Sequence, residues 1–131
     1  MLKKGTVLGR VVELAEWIYE YSGYITSYGD EPKTLEELQQ AVSTPETGYD
    51  IHHIVEQTPA EKDGFSRDQI DGADNLVRVP TLKHWQITGW YGTKAKEFGG
   101  LTPREYLRGK DWVERTKIGH RALVEHGVLK P

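Results

Sequence analysis

The chain has 131 residues, with 17 Lys and Arg against 20 Asp and Glu, a formal net charge of −3, and no cysteine. That length suits one domain with a core of its own and leaves little for a second module. Without cysteine, disulfides and thiolate metal ligands are excluded; with no run of about 18 apolar residues, a membrane span is not expected.

Met1-Leu2-Lys3-Lys4 is followed by Gly5-Thr6 and interrupted hydrophobicity, so no signal-peptide core is expected. Residues 7–22 place Val7, Val11, Leu14, Ile18 and Tyr21 at three- and four-residue intervals, which predicts an amphipathic helix whose apolar face packs on the core. Gly23 and the segment TSYGDEPK break that pattern and predict a loop. Thr34-Leu35-Glu36-Glu37 reads as a capping box, starting a short helix to about Val42. Ser43 to Gly48 combines Pro, Gly and small polar residues, which releases the chain into a first strand from Tyr49 to about Glu56.

From Gln57 to Asp74 the chain is polar, with Pro59, Gly64 and Gly72, and predicts a long loop with a helical turn around Ser66–Ile70. Leu76-Val77-Arg78-Val79 alternates as a short second strand, which Pro80 ends. Thr81 is placed to cap a helix over about Leu82–Trp90. Thr102-Pro103-Arg104-Glu105 is the clearest helix start, with Thr as N-cap, Pro at the first position and Glu at the third. That helix should run toward Glu125, with a break near Gly109 and Gly127 as C-terminal cap. No internal repeat or low-complexity tract is present.

Three of the five histidines fall in the central stretch: the adjacent His52 and His53 on the first strand, and His84 on the helix after the second. Asn75 lies nine positions before His84. Adjacent strand residues point to opposite faces, so one histidine can bind a metal while the other faces a substrate. Asp50 shares the His52 face if the strand is regular, as a metal-shell partner or a solvated carboxylate.

The order histidine pair, asparagine, histidine on strand, loop, strand and helix resembles the HNH nucleases, the ββα-metal or His-Me finger family. The likeness is carried by Asp50-Ile51-His52-His53-Ile54-Val55, Asp74-Asn75-Leu76-Val77 and His84, roughly a third of the chain. It implies an α+β, mainly helical fold in one domain. In that reading residues 48–91 form a ββα-metal core of a two-stranded antiparallel hairpin plus helix. Residues 1–47 add a helical N-terminal extension and residues 92–131 a C-terminal helical region.

The resemblance also implies roles. His52 and His84 would be metal ligands, His53 the general base, and Asn75 the residue that holds the loop and helps orient that base. Colicin-type members place another histidine four residues after the helix ligand; here that position is Thr88, a poor ligand. Two protein ligands favour a largely hydrated Mg²⁺ or Mn²⁺ over Zn²⁺ or Ni²⁺. A neutral imidazole can take a proton from water near pH 7, with an ordinary pKa of about 6.5.

Positive charge is concentrated late: residues 1–47 carry 4 basic against 8 acidic residues, residues 48–79 carry 3 against 7, and residues 80–131 carry 10 against 5. That asymmetry suits a basic, phosphate-facing surface on the last third, and equally a plain solvated surface. Arg78, Lys83 and Arg104 are candidate phosphate contacts, though each could equally be a solvated charge. His120 and His126 read as structural or surface histidines, and Trp85, Trp90 and Tyr91 as core packing rather than base stacking.

KTLEELQQAV, GYDIHHIVEQ and the tail from Gly99 to Pro131 resemble the C-terminal toxin domains of bacterial polymorphic, Rhs-type toxins. That likeness implies a DNase effector delivered into the cytoplasm of a competitor cell and neutralised in its producer by an acidic immunity protein. The alternatives are an RNase toxin with the same motif, or a catalytically degenerate HNH fold that binds nucleic acid or protein. A monomer is expected, on the ground that no apolar stripe is left unassigned.

Overall fold

A computed structural model describes residues 7–131; the segment Met1–Thr6 lies outside the described residues. The fold is α+β and mostly helical, with one two-stranded antiparallel hairpin among the described residues. The helices are α1 (Val7–Tyr28), α2 (Leu35–Gln40), α3 (Gln57–Lys62), α4 (Arg67–Ile70), α5 (Thr81–Tyr91), α6 (Pro103–Tyr106) and α7 (Trp112–Glu125), and the strands are β1 (Tyr49–His53) and β2 (Leu76–Pro80). Among the described residues no helix is long and apolar enough to cross a membrane.

The strands pair from Tyr49 opposite Pro80 to His53 opposite Leu76. β1 stops three residues before the expected end because its partner changes. The Ile54 N–H donates to the Asn75 carbonyl at 2.9 Å, and the Val55 N–H donates to the Asn75 side-chain oxygen at 2.8 Å. The connection between the strands is mostly helical, not the long loop expected from its polarity. Val55, Ala60 and Ile70 form a small buried cluster under Phe65 and Trp112, enough apolar content to fold α3 and α4.

The main core gathers residues such as Ile54, Val77, Val79, Ile87, Tyr91, Ile118 and Leu123, drawn from the hairpin, α5 and α7. Helix α7 approaches the end of β1 so closely that a Cβ on Gly119 would collide with the Ile54 carbonyl oxygen. Both expected capping boxes are present, Thr34 with Glu37 and Thr102 with Glu105. The second starts only the short α6; Gly109 adopts φ +73° and Asp111 caps a separate helix, α7. Gly127, just past α7, is likewise left-handed at φ +69°.

The structure also departs from expectation in α1 and at Thr81. Helix α1 continues through Gly23 to Tyr28, because this glycine permits close approach rather than a turn: its position faces Thr47, and the Ser27 hydroxyl donates to the Gly48 carbonyl at 2.7 Å. The apolar residues Val11, Leu14 and Ile18 of α1 are each more than half exposed, so this face does not pack on the core. The helix meets α5 and β2, and Tyr24 packs on Trp85 with ring centroids 6.0 Å apart. An apolar stripe is therefore left uncovered on α1, so burial of apolar surface gives no argument for a monomer. Lastly, Thr81 does not cap α5; its hydroxyl donates to Asp50 at 3.1 Å.

Candidate functional site

A cleft of about 570 Å³ opens beside the end of β1, lined by His52, His53, His84 and Thr88 on one side and by residues of α3, α6 and α7 on the other. Strand alternation carries the two histidines of β1 apart, as their adjacency requires. His52 turns toward α5 and meets His84 edge-on, with ring centroids 5.2 Å apart. His53 turns toward the end of α4, where its Nε2 lies 2.9 Å from an oxygen of Asp71. Because the cleft wraps around the strand end, both rings reach it.

His52 is 5% exposed. Its Nε2 is the one buried side-chain polar atom among the described residues without a hydrogen-bond partner. Burial, with His84 and His53 nearby, holds the ring neutral and pushes its pKa down to about 3. A buried unsatisfied nitrogen costs about 1–3 kcal/mol, and such an atom calls for an explanation.

His84 has one nitrogen already engaged. Its Nδ1 lies 2.8 Å from Asp50 Oδ2, and the other Asp50 oxygen accepts from Thr81. A carboxylate only accepts, so Nδ1 carries the proton and the free electron pair sits on Nε2. A carboxylate behind a histidine is the usual backing for a metal-ligating imidazole. Asp50 sits on β1 two residues before His52, so one strand supplies both the unpaired nitrogen and the group that orients its neighbour.

The separation of the two rings can be set against that of two imidazoles on one ion. Metal–nitrogen bonds of about 2.0–2.1 Å plus a ring radius of about 1.1 Å put two imidazole centroids roughly 5.2 Å apart at a tetrahedral angle and about 4.6 Å at a right angle. The observed 5.2 Å lies at the wide end of that range. Among the described residues no group of three or more His, Asp or Glu side chains gathers as a candidate metal site. The two imidazoles are the nitrogen pair this part of the cleft offers. Thr88 lines the cleft, but its hydroxyl donates to the His84 carbonyl at 3.1 Å.

Asn75 is 3% exposed and spends its side chain on the backbone. It accepts from Val55 N–H and donates to the Val55 carbonyl at 3.2 Å and the Ile70 carbonyl at 2.9 Å. It holds the strand connection directly. The side-chain contact to His53 comes instead from Asp71, the residue after Ile70. Asp71 is in turn held by Arg67, whose Nη2 donates to both carboxylate oxygens at 2.9 and 3.0 Å. The hydrogen bond from His53, then that from Arg67, holds the Asp71 carboxyl below its ordinary range.

The candidate phosphate contacts lie in different places. Arg78 is away from the cleft, stacked over Tyr49 at 4.2 Å and donating to the Thr44 carbonyl at 2.8 Å. Lys83 donates to the His126 carbonyl at 2.7 Å and sits over Tyr28. Arg104 does line the cleft, paired two-pronged with Glu56 at 2.8 and 2.7 Å. Two cleft residues that sequence reasoning passed over, Lys62 and Arg108, have no ion-pair partner within 4 Å among the described residues.

Of the aromatics, Tyr91 is buried and lines the cleft, Trp90 packs on the core, and Trp85 is 55% exposed, contrary to its expected core role. His120 and His126 are absent from the cleft lining, and His126 Nδ1 lies 2.7 Å from the Ala122 carbonyl oxygen. Comparison with protein-family models, with curated proteins and with solved structures finds no match to this chain.

Proposed function

We propose that the chain is a metal-dependent, largely sequence-nonspecific endonuclease of the HNH class acting on DNA, with the hairpin and α5 as a ββα-metal core. The observation that carries this reading is the unpartnered buried Nε2 of His52, next to a His84 whose other nitrogen is fixed by Asp50. Those two imidazoles would hold one divalent ion, Mg²⁺ or Mn²⁺ ahead of Ni²⁺ or Zn²⁺, because most of the coordination is left to water and phosphate oxygen. When bound, the ion would neutralise charge on the phosphate and on the departing 3′ oxygen.

The remaining work falls to the chain. His53 takes a proton from the water that attacks phosphorus, and Asn75 fixes the backbone on which that ring sits. Lys62 and Arg108 offer positive charge to a polyanion along the cleft wall, where Arg104 is already paired with Glu56. No base-reading element stands out, so backbone contact is the default. The resemblance to polymorphic toxin domains extends the proposal to an antibacterial effector, held in check by an acidic immunity protein over this wall.

The test is plasmid cleavage by the purified chain with Mg²⁺, Mn²⁺, Ni²⁺, Zn²⁺ or chelator, beside His53→Ala and an RNA substrate. DNA cleavage that needs both metal and His53 is the expected result. RNA cleavage that persists in chelator would move the assignment to a metal-free RNase, and folded, metal-loaded protein that cuts neither substrate would overturn the enzyme reading.

A further inference from the structure

We infer that Asp71, clamped by Arg67, is the positioning residue for His53: it fixes the ring orientation and the tautomer that leaves Nδ1 free to accept a proton. The role of His53 as proton acceptor rests on the proposed nuclease function; its positioning by Asp71 rests on geometry alone.

A neutral imidazole has one N–H and one bare nitrogen, and what faces each of them decides which is which. The Asp71 carboxylate can only accept, so a 2.9 Å contact to Nε2 requires the proton there. The lone pair is then on Nδ1. Without that partner both tautomers are open to the ring, and only one of them is the base.

The carboxylate is itself held from two sides. Arg67 grips both oxygens and also donates to Glu61 at 3.1 Å and Gln57 at 3.2 Å, which ties α4 to α3. From below, Asn75 donates to the Ile70 carbonyl, one residue before Asp71, while its oxygen receives the Val55 N–H two residues after His53. A buried amide therefore sets the spacing between the backbone carrying the base and the backbone carrying its partner. Asn75 reaches His53 through Asp71 rather than by contact. Asp71 also ends α4, where its N–H donates to the Arg67 carbonyl, but that backbone bond needs no carboxylate. The side chain is half exposed and is spent on His53 and Arg67.

Long-range ¹⁵N–¹H correlation spectra of the imidazoles at neutral pH, in Mg²⁺ and in chelator, read the tautomer directly. The wild-type chain should show His53 with its proton on Nε2. Asp71→Asn, whose amide can donate as well as accept, should give a mixture, and Arg67→Gln a smaller shift the same way. In single-turnover plasmid cleavage, Asp71→Asn should slow the rate about 10- to 100-fold, part of the roughly 10²–10⁴ a positioned base supplies. The DNA concentration giving half-maximal rate should stay within about twofold of wild type, since the ring and not the binding wall is changed.

A wild-type His53 protonated on Nδ1 would overturn the inference, and so would an Asp71→Asn chain with unchanged tautomer and rate. If the wild-type chain cleaves neither DNA nor RNA yet shows the Nε2–H tautomer lost in Asp71→Asn, the nuclease reading fails while the positioning role stands.

Discussion

His52 concentrates the tension between stability and function in a single atom. Its Nε2 is buried without a partner, an arrangement that a structural histidine avoids by finding a donor or acceptor. Replacing the ring by an apolar side chain of similar size removes the penalty, so in chelator His52→Leu should be more stable than wild type by about 1–2 kcal/mol in urea unfolding. Added metal should reverse the order. On the proposed function, wild type would gain about 2.7 kcal/mol at a free metal concentration 100 times the dissociation constant, and the variant would gain nothing. A variant less stable than wild type in chelator would mean that the unpaired nitrogen carries no such penalty. The sequence alone brought out His52, His53, His84 and Asn75 through their spacing. It did not bring out Asp71, because its contact to His53 spans 18 residues of chain whose helical path polarity had disguised. Asp50 was legible only as a shared strand face with His52; its hold on His84 needs the helix in place.

At the scale of elements, local rules worked where local chemistry decides and failed where packing does. Thr34 and Thr102 start helices because cap and third residue are close in sequence, so both boxes could be read directly. Gly23 defeats a local reading because, in sequence, a glycine that admits a neighbouring backbone looks like a glycine that turns the chain. Helix α3 escapes a local reading because its cluster of Val55, Ala60 and Ile70 is sparse in sequence and is closed by Trp112 from α7. Its C-terminus is joined to α7 by Asp63, which accepts from the Gly109 N–H at 3.2 Å and pairs with Arg115, itself 2% exposed. Those two hydrogen bonds, the backbone one first, hold the Asp63 carboxyl below its ordinary range. A carboxyl lowered on folding stabilises the fold fully above its unfolded pKa of about 3.9, and that contribution is lost as pH falls through the lower folded value. The fold should therefore lose stability in acid below about pH 4. Asp63→Asn should flatten that part of the urea-midpoint profile while lowering the midpoint at pH 7, where Arg115 is left buried beside a neutral amide. An unchanged acid limb in the variant would show that this link does not couple α3 to α7.

Across the whole molecule, charge segregation in the sequence does not translate simply into a basic face. The C-terminal third carries the excess of positive charge, yet Arg104 and Arg115 at the cleft are matched by Glu56 and Asp63 from the acidic middle segment. Arg78 and Lys83 are spent on holding the chain together. What remains for a polyanion on the cleft wall is Lys62 from α3 and Arg108 from the turn after α6, cations without an ion-pair partner among the described residues. On double-stranded DNA each phosphate neutralised contributes about 0.9 to the slope of log affinity against log salt, with opposite sign. Lys62→Gln and Arg108→Gln should each lower the magnitude of that slope by about 0.9 and weaken binding similarly for unrelated sequences, measured by fluorescence anisotropy in chelator. Arg78→Gln should leave the slope alone while reducing stability, because its bonds to Thr44 and Glu46 brace the chain just before β1. If Arg78→Gln changed the slope and the cleft variants did not, DNA would lie along the outer face of the hairpin, away from the three histidines, and the cleft would lose its claim to the substrate.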